Sequence, residues 1–116
     1  MQVERIRKVN SEGFQKDVYE SPTPVVVDFY ADWCGPCKMV SPVLESLSTE
    51  YEGRVRFVKV DVDDNQELSS KYGIMSIPTV MLFVRGEAQD AIVGVVPANE
   101  YRDKIDKALQ GRGQLA

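Results

Sequence analysis

Val25-Val26-Val27-Asp28-Phe29-Tyr30 is apolar at almost every position. A strand with one wet face alternates apolar and polar residues, whereas an unbroken apolar run needs burial on both faces. This run therefore reads as a central strand of a sheet covered by helices on both sides. The chain must then supply those helices, and the fold class is α/β.

The expected helices fall between the strands. A brief strand near Val3–Lys8 precedes a short helix from Ser11 to Tyr19, and Ser21-Pro22-Thr23-Pro24 makes a turn. After the central strand, Met39, Val40, Val43, Leu44, Leu47 and Tyr51 recur at helical spacing from about Cys34 to Glu50. Pro42 lies inside that helix and is expected to kink it. Val55 to Asp61 reads as a strand. Asp64 with Glu67 marks a helix start, and Gly73 its stop. Thr79–Val84 is a further strong strand, Arg85-Gly86-Glu87 a turn, and Asp90–Val96 its hairpin partner. Tyr101, Ile105, Ala108 and Leu109 form the apolar stripe of a last helix that stops near Gly111. The order is β-α-β-α-β-α-β-β-α. Strands separated by helices are expected to run parallel and the last two antiparallel, giving a mixed sheet in a single three-layer α/β/α domain over residues 1–110. Residues 111–116 are expected to form a flexible tail.

Length and composition permit this. A chain of 116 residues can bury a real core without a cross-link. A net charge of −4 argues against nucleic acid as a partner. The apolar runs fall far short of the ~20 residues that span a bilayer, so no membrane partner is expected. The N-terminus has basic residues with no apolar region after them, unlike a secretory signal.

Both cysteines of the chain sit in Trp33-Cys34-Gly35-Pro36-Cys37-Lys38. A disulfide closing so short a loop stabilises by only on the order of 2 kcal/mol, against about 4.7 for a hundred-residue loop. Neighbouring thiols are better suited to exchange, in which one attacks a disulfide and the other resolves the mixed disulfide. By spacing alone, ordinary buried cysteines or half of a metal site stay open. Two cysteines without a signal fit a reducing cytoplasm, where a close pair is more often catalytic than structural.

Cys34 falls where a strand ends and a helix begins, at the edge where α/β folds place their sites. Free N–H groups and the positive helix end favour a thiolate there. A thiol of ordinary pKa is only ~3% ionised at pH 7, so such help matters. Cys37, one turn further in, is expected to be more buried. Cys34 is thus the candidate nucleophile and Cys37 the resolving thiol. Gly35 leaves room for a substrate chain, and Pro36 fits the first helical turn. Asp28, inside an apolar run, is costly to bury ionised and is expected to have a raised pKa. A proton shuttle and a turn cap are equally open readings of it. The chain has no histidine to activate a thiol.

Trp33–Lys38 resembles the active-site signature of the thioredoxin family. Phe29-Tyr30-Ala31-Asp32, Pro42, Asp28, Lys59, Ser76-Ile77-Pro78-Thr79 and Gly94 also stand in order where that family has equivalents. The resemblance covers roughly Val3 to Gln110. It implies the thioredoxin fold, a redox disulfide Cys34–Cys37, and protein-disulfide reduction. Asp28 becomes a proton shuttle for Cys37, through a water, with Lys59 modulating its charge. The Ile77–Pro78 bond is implied to be cis, exposing the backbone of Ile77 to a substrate peptide and barring metal from the thiols. Trp33, Ile77, Pro78 and Gly94 are implied to form a shallow apolar patch, although Trp33 also reads as a core residue. The implied partners are a thioredoxin reductase and proteins with disulfides. A cytoplasmic monomer without cofactor or metal is expected. Three departures stand out: Tyr30 where many members have a second Trp, Pro97 where a polar cap is common, and Met75-Ser76 in a variable loop. A redox-independent binding subunit using the same apolar surface is the alternative function, and a two-cysteine metal site, which would need a dimer, is a third.

Overall fold

The computed structural model describes residues 5–115, with side chains as far as Gly111. Its strands are β1 (Arg7–Lys8), β2 (Val25–Tyr30), β3 (Arg56–Asp61), β4 (Thr79–Val84) and β5 (Glu87–Val93). Its helices are α1 (Ser11–Phe14), α2 (Gly35–Glu50), α3 (Gln66–Lys71) and α4 (Ala98–Leu115). Val3 and Glu4 of the expected first strand, and Ala116 of the expected tail, lie outside the described residues.

The five strands form one sheet in the order β1-β3-β2-β4-β5. The near-continuous apolar run, β2, occupies the centre. Both faces are covered, as its composition requires, and the period of two sorts its side chains. Val25, Val27 and Phe29 face Phe14, Val18 and Leu68 on the α1/α3 side. Val26 faces Val40, Leu44, Leu47, Tyr101 and Ile105 on the α2/α4 side. Asp28, two residues from Val26, shares that second side.

β1 and β2 run parallel to β3, whereas β4 pairs antiparallel with β2. The parallel β4 expected from its alternation with a helix is not found. The six residues of α3 rise only about 9 Å, too little to return the chain across strands of about 20 Å. The chain therefore enters β4 from the edge where β2 ends, pairing Thr79 with Phe29. This reversal puts Ile77 and Pro78 beside the start of α2.

Other boundaries shift for local reasons. The first helix is α-helical only to Phe14, and Gln15–Tyr19 continues it as a π-helical turn. β5 begins at Glu87 rather than Asp90. Arg85 and Gly86 both have positive φ, 53° and 80°, the two-residue turn that suits a hairpin. α3 starts after Asn65, and Gly73, at φ 64°, stops it as expected. Met39, expected in the apolar stripe of α2, is exposed. The backbone of α4 continues past Gly111 to Leu115.

Candidate redox site

Cys34 and Cys37 form a disulfide with Cα atoms 5.3 Å apart. Cys34 is the N-cap of α2, in extended conformation, and Pro36 occupies the first turn where its missing N–H costs little. The backbone N–H of Cys37 donates to Sγ of Cys34 at 3.2 Å. Cys34 thus takes the capping position that a serine or aspartate usually fills, with its sulfur facing the free donors of the helix end.

The expected difference in burial between the cysteines is not found. Cys34 is 3% exposed and Cys37 4%. Both sulfurs are closed into a cluster with Ala31, against which Tyr30, Val62 and Ile77 pack. The helix end, rather than exposure, is what distinguishes Cys34.

Asp28 is 5% exposed. Burial pushes its carboxyl up to about 7, and the Lys59 ammonium acts in the opposite direction. The parallel register sets Asp28 of β2 against Lys59 of β3. Lys59 also lies over the Tyr30 ring, 5.5 Å from its centroid. A cleft of about 220 Å³ is lined by Asp28, Cys37 and Lys59, together with Tyr30, Asp32 and Lys38. Residues far apart in sequence are thereby gathered around one cleft with Cys37.

Trp33 is 70% exposed and so is not a core residue. The Ile77–Pro78 peptide bond is cis. Ile77 is half-buried and Pro78 is buried. The N–H of Gly94 donates to the carbonyl of Pro78 at 2.8 Å, joining the start of β4 to the end of β5. Gly35 and Pro36 are exposed at the rim. Sequence reasoning missed Asp63, whose Oδ2 accepts from Trp33 Nε1 at 2.8 Å. The acidic turn Asp61-Val62-Asp63-Asp64 was visible, but its distance to Trp33 was not.

A dithiol–disulfide centre capping a helix at the edge of a helix-covered mixed sheet defines a redox protein that works by thiol–disulfide exchange. The thioredoxin family model matches residues 5–107. The chain is 46% identical over 105 residues to an M-type chloroplastic thioredoxin of Brassica napus, covering 90% of this chain and 59% of that protein. It is also 46% identical to the thioredoxins of Rickettsia felis, over 87% of this chain and 96% of that one, and of Synechocystis sp., over 88% and 95%. The chain belongs to the thioredoxin family, and its Cys34–Cys37 pair is that of a thiol–disulfide oxidoreductase. No helix among the described residues is long and apolar enough to cross a membrane.

Proposed function

We propose that this protein reduces disulfides of other proteins and is itself re-reduced by a thioredoxin reductase. The observation that carries the reading is the sulfur of Cys34 at the N-terminus of α2, with its disulfide partner Cys37 lining the same cleft as the buried Asp28.

In the reduced protein, the Cys34 thiolate attacks one sulfur of a substrate disulfide. A Cys34–substrate disulfide forms, and the first substrate sulfur leaves as a thiolate that takes a proton. Asp28, in its charged form, accepts the Cys37 proton through a water. Cys37 then attacks Sγ of Cys34, restores the Cys34–Cys37 disulfide and releases the second substrate sulfur. Two electrons pass to the substrate, and a reductase dithiol returns them. A carboxyl titrating near 7 suits this transfer, since it both takes and gives a proton at neutral pH. Lys59 moderates its charge.

Trp33, Ile77, Pro78 and Gly94, with Gly35 and Pro36 at the rim, are the proposed docking patch. A substrate chain pairs there with the backbone of Ile77 as an added strand. The cytoplasm is the proposed location, because both cysteines serve the redox pair. The chloroplastic names of the Brassica napus and Pisum sativum relatives mark the competing one.

Cys37→Ser tests the reading by trapping. Incubated with oxidised insulin, it is expected to accumulate a mixed disulfide at Cys34 that dithiothreitol releases. Equal capture by Cys34→Ser/Cys37→Ser would favour the redox-independent binding subunit, for which the exposed apolar side chains of Trp33, Met39 and Met75 speak.

A further inference from the structure

Two buried polar atoms find no hydrogen-bond partner among the described residues: Oδ1 of Asp28 and the hydroxyl of Tyr101. They belong to the same layer. Asp28 lies on β2 next to Val26 along its face and opposite Val80 of β4. Tyr101, near the start of α4 and 2% exposed, packs into the cluster that holds Val26 and Val80. A small cavity of about 20 Å³ touches Tyr101 and both valines.

Tyrosine is the polar exception in its stripe. Ile105, Ala108 and Leu109 cover the sheet with hydrocarbon alone. A buried hydroxyl without a partner costs about 1–3 kcal/mol, and an unpartnered carboxylate oxygen more. One water shared between the two atoms would satisfy both. The two groups also act on each other electrostatically. Burial first, and then the charge of Asp28, push the Tyr101 phenol above its ordinary value. Tyr101 therefore keeps its proton throughout the range in which Asp28 titrates, and stays a donor.

We propose that the Tyr101 hydroxyl hydrogen-bonds, across one buried water, to Oδ1 of Asp28 and favours its charged form. The proposal rests on Asp28 accepting the Cys37 proton, and makes Tyr101 a positioning residue for that transfer. The other groups around Asp28 approach from elsewhere. Lys59 comes from β3, Cys37 and Lys38 from α2, Tyr30 from its own strand and Asp32 from the loop beyond it. Val80 is the uncharged neighbour from β4, and Glu100 of α4 acts on Tyr101.

Tyr101→Phe keeps the ring and removes the one oxygen. The probe is the Asp28 side-chain carboxyl, followed by 13C NMR against pH in the oxidised full-length chain. The midpoint is expected to rise by about one pH unit, tenfold in the ionisation equilibrium. The pH profile for resolving the Cys34–insulin mixed disulfide is expected to move by the same amount. In an Asp28→Asn background, Tyr101→Phe is expected to leave that profile unchanged. An Asp28 midpoint that stays put or falls overturns the proposal. If the midpoint rises while Asp28→Asn resolves the mixed disulfide at the parent rate, Tyr101 is coupled to Asp28 but the shuttle reading fails.

Discussion

The backbone N–H of Cys37 donates to the sulfur of Cys34 across 3.2 Å, so the two redox residues are joined by a helix cap as well as by a disulfide. The donor belongs to the backbone and survives reduction of the S–S bond. It then faces the Cys34 sulfur alone, together with the positive end of a sixteen-residue helix. Charge on Cys34 is stabilised there, and charge on Cys37 is not.

That asymmetry is read by alkylation. In the reduced protein at pH 7, iodoacetamide is expected to modify Cys34 faster than Cys37 by on the order of tenfold or more, since the cap and dipole together are worth upwards of ~1.4 kcal/mol. Mass spectrometry of the peptides gives the ratio. Equal labelling would contradict the assignment of Cys34 as nucleophile.

Asp28 links the site to stability. Its carboxyl titrates near 7 in the folded protein because of burial, against 3.8 for an ordinary aspartate. Between those values the folded state holds a proton that the unfolded chain has lost. The associated stability is complete below about pH 4, falls as pH rises, and is gone above about pH 7. The interval corresponds to roughly 4 kcal/mol. By urea unfolding, Asp28→Asn is expected to be more stable than the parent by up to that amount at pH 8, and equal to it at pH 3.5. A gain of the same size at both pH values would contradict this.

Trp33 is held by Asp63 from the loop after β3. The contact is exposed, so Asp63→Ala is expected to change stability by less than about 1 kcal/mol. It frees the indole, and the fluorescence anisotropy of this single tryptophan is expected to fall. Unchanged anisotropy would show that packing, not the hydrogen bond, orients the ring.

Gly53 and Gly86 separate backbone strain from collision. Both have positive φ, 84° and 80°. A Cβ at Gly53 meets nothing within 4 Å, whereas one at Gly86 lies 2.8 Å from the carbonyl oxygen of Tyr19. Gly53→Ala is expected to cost about 1 kcal/mol, the left-handed penalty alone. Gly86→Ala adds a backbone clash of roughly 1–3 kcal/mol. Equal costs in chemical unfolding would contradict the close approach of the β4–β5 turn to Tyr19.

The parts of the fold legible in sequence are those set by local pattern. β2 and β4 have the expected ends because an apolar run bounded by turns leaves few alternatives. Cys34 is legible as a helix cap because Gly35 and Pro36 follow it. β5 is not, because an edge strand is defined by backbone pairing from Val84 and Glu87 onward, and its side chains are mostly exposed. Gly111 does not end α4, since a glycine stops a helix only by turning left-handed, and Gly111 does not. Asp63 and Tyr101 were hidden for a different reason. One stands in an acidic turn and the other in an apolar stripe, and what each touches depends on contacts between distant elements. The direction of β4 was hidden by the brevity of α3.

The central claim is that Cys34 carries electrons to protein disulfides, and the turbidity of insulin reduced by dithiothreitol tests it most directly. The parent protein is expected to shorten the lag and speed precipitation of the insulin B chain, and Cys34→Ser to follow the rate of dithiothreitol alone. Precipitation by Cys34→Ser at the parent rate would contradict the account.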